Sequence, residues 1–176
     1  MIGIDTTAEF KPIRIAVMTI SDTRTIETDA SGTLLIDRLK NSGHILGDRV
    51  IVRDEKADIK YMLRKYISDP TIEVVLATGG TGVTGRDVTP EAFQEVYEKE
   101  IPGFGELFRM LSYRIIKTSS MQSRATAGTA GGTYLFALPG STSACRDAWD
   151  EILAYQLDIR HRPCNFAELL PRLQHS

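Results

Sequence analysis

The run Ile13–Ser21 (IRIAVMTIS) constrains this chain more than any other feature, because it is β-branched and apolar almost without a break. A strand with one wet face alternates apolar and polar residues. A strand covered on both faces reads as a continuous apolar run, the pattern of a parallel sheet between layers of helices. Val74–Ala77 and Tyr134–Leu138 repeat that pattern, and His44–Val52 reads as a further strand. Helical stripes alternate with these runs. Leu34, Leu35 and Leu39 form a short one stopped by Asn41-Ser42-Gly43; Ile59, Met62, Leu63, Tyr66 and Ile67 form a clearer one between Asp58 and Asp69, where Pro70 forbids continuation. The repeated order predicts a doubly wound α/β fold, a three-layer α/β/α sandwich with a mostly parallel sheet, built as one domain over residues 1–176.

The remaining segments are less regular. Thr89-Pro90 supplies an N-cap and a first-turn proline for a helix after the glycine-rich Thr78–Gly85, and Ile101–Tyr113 reads as helical. Thr118–Gly132, rich in Ser, Thr, Ala and Gly, reads as loop and short extended structure. Pro139-Gly140 turns the chain, and Ser141 can cap a helix that places Cys145, Ala148, Trp149, Ile152 and Leu153 on one face. The tail from Arg160 (RHRPCNF) lacks a helical period and is expected to lie across a surface, either its own subunit's or a neighbour's, with Phe166 as anchor.

Charge and cysteine content exclude several classes of function. Lys and Arg number 21 against 23 Asp and Glu, and no basic block is present to release counterions from a polyanion, so nucleic acid is not the expected partner. Asp5 and Glu9 occupy the place of a signal peptide's basic and apolar regions, and no apolar run is long enough to span a bilayer; the expected location is the cytoplasm, without a membrane. Cys145 and Cys164 are too few for a disulfide framework, and with His44, His161 and His175 scattered singly a His/Cys metal cage is not expected.

Ligands of open α/β sheets sit beyond the carboxyl ends of the strands. The segments leaving the strands therefore carry the candidates: Ser21-Asp22, Asp54-Glu55, Thr78–Asp87 and Pro139–Thr142. In TGGTGVTGRD the side chains are stripped from Gly79, Gly80 and Gly82, which suits either a backbone cradle for phosphate or a tight strand-to-helix turn. Arg86 can hold a phosphate. Asp87 beside a phosphate loop implies a bridging divalent cation, Mg²⁺, or else a helix cap, and Asp54 carries the same two readings unless it converges with Asp87. Ser141 and Thr142 can donate to an anion or simply cap. Ser119, Ser120, Ser123 and Arg124 can contact a polar heterocycle or phosphate, or form a surface loop. Cys145 lies on the apolar face of its helix and reads as a buried hydrophobe rather than a nucleophile.

TGGTG…RDVTPEA over Thr78–Ala92 resembles the signature of the MoaB/MogA family of molybdenum cofactor biosynthesis, the molybdopterin-binding domain. Ser21-Asp22, Asp29-Ala-Ser31-Gly32, Asp54-Glu55, Pro102-Gly103-Phe104-Gly105, Ser123-Arg124 and Leu138-Pro139-Gly140 follow in the family's order, so the resemblance covers nearly the whole chain. FRMLS (Phe108–Ser112), MQSRA (Met121–Ala125), PGST (Pro139–Thr142) and RPCNF (Arg162–Phe166) resemble the MoaB branch.

The resemblance implies the MogA-like fold and a Mg²⁺-dependent transfer of AMP from ATP to the terminal phosphate of molybdopterin. It implies Asp87 and Asp54 as metal-binding, catalytic carboxylates. Gly79, Gly80, Thr81, Gly82, Ser21 and Asp22 would line the nucleotide phosphates, and Ser123, Arg124, Pro139, Gly140 and Ser141 the pterin. It also implies a homo-oligomer, trimer or hexamer, for which Phe104, Phe108, Met110 and Leu111 are candidate glue, and other molybdenum cofactor biosynthesis proteins as further partners. Two departures stand out: Arg53 replaces a common proline before Asp54, and PGST lacks the second proline of the adenylyltransferase pattern. A non-catalytic molybdopterin-binding protein is the alternative, and a competence/damage-inducible relative acting on another nucleotide a more distant one. RDVTP, which some members of the branch lack, favours activity.

Overall fold

In the computed structural model, residues 3–173 are described. In chain order the first half comprises β1 (Gly3–Ile4), β2 (Arg14–Ile20), α1 (Ala30–Asn41), β3 (Ile45–Val52), α2 (Lys56–Ile67), β4 (Val74–Thr78) and α3 (Thr89–Gln94). Then come β5 (Lys99–Glu100), α4 (Pro102–Ile116), a 3₁₀ segment (Lys117–Gln122), β6 (Thr126–Ala130) and β7 (Thr133–Leu138). The chain closes with α5 (Thr142–Ala148), a π turn (Trp149–Leu153), α6 (Ala154–Gln156), β8 (His161–Arg162) and α7 (Phe166–Leu173). The main sheet has the order β3-β2-β4-β7-β6-β5; the first three pairings are parallel and the last two antiparallel.

The apolar run of β2 serves two cores at once. Ile15 and Val17 pack with Leu35, Leu39, Phe136 and Trp149 on one face of the sheet, while Ala16, Met18 and Ile20 pack with Ile59, Leu63 and Phe93 on the other. Helices on both faces make the α/β/α layers expected from continuous apolarity. No helix among the described residues is long and apolar enough to cross a membrane.

Two segments differ from their sequence reading. Thr126–Ala130, within the stretch expected as loop and short extended structure, is a fully buried sheet strand, β6, between β7 and β5, joined to β7 through the glycine turn Gly131-Gly132. Its small residues TAGTA carry no β-branched apolar signal, yet smallness is what the site requires: a Cβ on Gly128 would lie 2.4 Å from the Tyr97 ring. The tail, expected to be irregular, pairs β8 with β1 and forms α7 on its own subunit. Asn165 accepts the Glu168 N–H at 2.7 Å and starts that helix, and the Phe166 ring packs 4.9 Å from Tyr134 rather than reaching outward. Phe104 and Phe108 are likewise core residues, leaving Met110 as the exposed member of the predicted glue and Leu111 packed partly against the core.

His44 is a core histidine. Its Nδ1 accepts the Ile13 N–H at 3.2 Å, and burial holds its pKa down to about 4, so the ring is neutral. His175 lies outside the described residues.

Candidate functional site

Because β2, β3, β4 and β7 are parallel, their carboxyl ends open on one edge of the sheet. The chain leaves β2 for β3 on one side, and β4 joins β2 on the other. The crevice between β2 and β4 is thus the topological switch point, where an open α/β sheet takes its ligand. A cleft of about 220 Å³ lies there, walled by Ser21, Arg24, Ser31, Gly79, Gly80 and Gly140.

The loop after β4 is tied at its base. Gly79 donates its N–H to the Leu138 carbonyl at 3.0 Å, and the Thr89 N–H donates to the Gly80 carbonyl at 3.1 Å. Thr89 does not cap α3 as its sequence context predicted; Val88 stands at the cap, and the Thr89 hydroxyl turns back to donate to the Gly79 carbonyl at 2.9 Å. Gly80 has a φ of +63°, and a Cβ there would meet Thr89 Oγ1 at 2.4 Å and Asp54 Oδ1 at 2.9 Å. A Cβ on Gly82 would lie 2.7 Å from Asp87 Oδ2. Both candidate carboxylates therefore press against the same loop, at positions where only glycine leaves them room.

Asp54 comes from the segment after β3. Its Oδ1 is buried and has no hydrogen-bond partner among the described residues. Burial raises its pKa above the carboxylate norm and the negative charges of Asp87 and Asp22 raise it further, while the Arg86 charge and the Val88 N–H pull it partly back. Asp22 accepts the Asp54 N–H at 3.2 Å, and Arg86 spans the mouth, donating to Asp22 and, at 2.9 Å, to Glu55. Arg86 is thus held by carboxylates from the exits of β2 and β3.

Asp87 is prepared in the opposite way. Its Oδ2 accepts the Thr84 N–H at 2.9 Å and the Thr84 hydroxyl at 2.6 Å, and the hydroxyl bond is the main cause that lowers its pKa. The side chain closes its own loop and does not cap α3.

An orphaned carboxylate oxygen coupled to a second carboxylate beside a glycine loop fits a divalent cation. Among the described residues no three His, Cys, Asp or Glu side chains come together as a complete cage. Two carboxylates are what Mg²⁺ commonly takes from a protein, with phosphate oxygens and water completing its shell.

The other candidates divide. Ser21 lines the cleft and its hydroxyl accepts the N–H groups of Thr23 at 3.2 Å and Arg24 at 3.1 Å. Thr81 is buried in the loop. Ser141 caps α5, accepting the Ala144 N–H at 3.3 Å; the Pro139 carbonyl accepts the Thr78 hydroxyl at 2.8 Å, and the Gly140 carbonyl accepts the Ser31 hydroxyl at 2.9 Å. Ser123 and Arg124 are not part of that cleft. Ser123 lines a second cavity of about 350 Å³ between α3 and α4, and the Arg124 guanidinium donates to the Gly82 carbonyl at 2.6 Å, to the Asp87 carbonyl at 2.6 Å and to Glu91. Cys145 is buried, and burial pushes its thiol up to about 11, leaving it protonated at neutral pH.

Sequence reasoning assigned no role to Asp29 and Ser31. Asp29 is 2% exposed, caps α1 by accepting the Gly32 N–H at 2.9 Å, and also binds the Thr19 hydroxyl at 2.8 Å and Arg49 at 3.2 Å. The signal that could have found it was the cap spacing itself, an Asp three residues ahead of Gly32, immediately after a strand-exit loop.

The family described as the probable molybdopterin binding domain matches residues 16–159. Molybdenum cofactor biosynthesis protein B of Escherichia coli (strain K12) is 49% identical over 158 residues, covering 90% of this chain and 93% of that protein. A crystal structure of Molybdenum cofactor biosynthesis protein B superposes with a TM-score of 0.85 at 42% identity, covering 94% of this chain and 98% of that one. The tungsten cofactor synthesizing protein MoaB from Pyrococcus furiosus gives a TM-score of 0.75 at 30% identity, covering 93% and 98%.

Proposed function

This chain belongs to the molybdopterin-binding domain family of molybdenum cofactor biosynthesis, and from that premise we propose that it transfers AMP from ATP to the terminal phosphate of molybdopterin. Its pathway is molybdenum cofactor biosynthesis. The observation that carries the finer reading is the buried, unpartnered Oδ1 of Asp54, coupled to Asp87 across the switch-point glycine loop. A site of that kind is costly without a cation and suited to phosphate chemistry with one.

In the proposed reaction an oxygen of the molybdopterin phosphate attacks the α-phosphorus of ATP. A new P–O bond forms, the bond between the α-phosphorus and its bridging oxygen breaks, and pyrophosphate leaves. Two anions must be brought together, so positioning and charge neutralisation outweigh acid–base chemistry. Asp87 and Asp54 would hold Mg²⁺, which would supply neutralisation of phosphate charge when bound. Gly79, Gly80, Thr81 and Gly82 line the nucleotide phosphates, Gly79 by the room it leaves since its N–H is bonded to the Leu138 carbonyl, with Ser21 and Asp22 flanking them, while Pro139, Gly140 and Ser141 border the acceptor. With Cys145 protonated in the core, direct transfer is favoured over a covalent enzyme intermediate.

The second reading, a protein that binds molybdopterin without turning it over, is favoured by one observation: Asp87 Oδ2 already accepts two hydrogen bonds from Thr84. Incubation of the purified protein with molybdopterin, ATP and Mg²⁺ separates the two. Adenylylated molybdopterin together with pyrophosphate is the expected product, and molybdopterin recovered unmodified from a bound complex supports the binder.

The same reading places the protein in the cytoplasm as one domain over residues 1–176, working as a homo-oligomer alongside other proteins of the pathway. Leu107, Met110, Tyr113, Ile115 and Ile116 of α4 and the neighbouring Met121 are exposed apolar side chains that support association. Light scattering that returns a monomer overturns the oligomer.

A further inference from the structure

We infer that Arg124 is a positioning residue that fixes the carboxylate of Asp87 by stapling the glycine loop at both ends. This rests on the proposed role of Asp87. The segment Thr81–Asp87 is attached to Arg124 at three backbone points: the Arg124 N–H donates to the Thr81 carbonyl at 3.0 Å, and the guanidinium donates to the carbonyls of Gly82 and Asp87, each at 2.6 Å. The remaining guanidinium edge is held by Glu91 of α3, whose own pKa this arginine lowers. Three of the five guanidinium N–H groups, one on each nitrogen, are thereby committed to protein acceptors.

The geometry also explains why an arginine stands here. Gly82 and Asp87 begin and end a glycine-containing turn, and between them the side chain of Asp87 closes on Thr84 and on the Gly82 backbone, partners inside the same turn. A loop closed on itself keeps its shape but not its place. Arg124 supplies the external mooring, because it directly precedes buried Ala125 and β6, a strand paired on both sides by β5 and β7. A planar fork can reach two carbonyls and a carboxylate at once; an ammonium on a flexible stem cannot hold the same three directions.

The test compares the full-length protein with R124A and R124K, and adds E91Q, which loosens the guanidinium without removing it. Thermal melting identifies any variant that fails to fold, and E91Q and R124K keep the comparison available if R124A does. Amide hydrogen exchange of the Gly82–Asp87 segment is expected to rise roughly tenfold in R124A, less in R124K and least in E91Q, against unchanged exchange in β2 and β4. Binding of Mn²⁺, read by the signal of the free ion, is expected to weaken roughly tenfold in R124A, and in turnover the loss falls on kcat with the KM for molybdopterin unchanged. Unchanged exchange of the segment in folded R124A overturns the staple, and a selective loss of molybdopterin affinity makes Arg124 a substrate contact instead. The exchange arm requires neither metal nor turnover. An inactive, metal-free wild type would count against the proposed reaction, and the exchange arm would still decide the attachment of Arg124.

Discussion

Asp54 and Asp87 crowd the same glycine loop but come from regions built in opposite ways. Asp54 sits at the exit of a parallel strand, with one oxygen buried and unpartnered and its acidity weakened by burial and by its neighbours' charges. Asp87 sits in an exposed turn that satisfies its carboxylate internally and strengthens its acidity. A symmetrical pair of ligands would be prepared alike. The difference assigns Asp54 as the member that most needs a cation and Asp87 as the member whose place must be held for it, by Thr84 inside the turn and by Arg124 outside it.

The largest effect is expected from Asp87→Asn. It removes a preorganised charge from a solvent-reachable loop while the amide keeps an oxygen for Thr84, so the fold and molybdopterin affinity should survive and adenylyl transfer should fall on the order of 10²-fold or more. Near wild-type turnover in a folded variant would return Asp87 to a purely structural role. Gly82→Val comes next: a Cβ at that position would fall 2.7 Å from Asp87 Oδ2, so the branched side chain takes the carboxylate's space and blocks the loop's amides. ATP affinity by calorimetry should drop roughly tenfold or more, with molybdopterin affinity less affected. Unchanged ATP affinity would put the nucleotide elsewhere.

The contrast between the two carboxylates also has a pH signature. For Asp54 the folded-state pKa lies above the ordinary 3.8, so the native state holds its proton longer than the unfolded chain, and its contribution to stability falls as pH rises from 3.8 through that raised value. For Asp87 the folded-state pKa lies below 3.8, so its contribution is present above 3.8 and disappears as pH falls through the lowered value. Asp54→Asn should therefore melt at a higher temperature than wild type at neutral pH without metal, and should abolish the extra stabilisation that Mg²⁺ gives the wild type. A variant less stable than wild type under those conditions would show that the Asp54 charge is already compensated.

The same division decided what was readable from sequence. The parallel half announced itself because strands buried on both faces are apolar along most of their length, as β2, β4 and β7 are, and because ligand loops of such a sheet must follow those strands. The antiparallel flank did not. β6 is made of Thr, Ala and Gly, with Tyr97 packed over Gly128, so its composition is that of a loop, and α7 was hidden because Pro171 and the short lead Cys164-Asn165 mask its period. Candidate residues followed suit. Asp54, Asp87, Ser21 and Gly79–Gly82 converge because strand topology brings them together, whereas the bonds made by Thr89 and Arg124 depend on loop geometry that no spacing encodes.

The smallest effect is expected from Arg86→Gln, and it is the most discriminating. Arg86 is exposed, and its pairs with Asp22 and Glu55 are open to solvent, so their loss should leave the melting temperature close to wild type. Its field, however, reaches Asp54: the Arg86 charge opposes the burial and the acidic neighbours that raise the Asp54 pKa. Removing it should push that pKa higher still. Because a metal ligand must be deprotonated, the pH midpoint for Mn²⁺ binding should then move upward relative to wild type, with affinity at high pH little changed. The Asp87→Asn variant should move the midpoint the other way, since the Asp87 charge helps to raise the Asp54 pKa, although its affinity will be lower at every pH. Opposite displacements identify Asp54 as the titrating ligand. Displacements of the same sign would mean that the protons competing with the metal belong to another group.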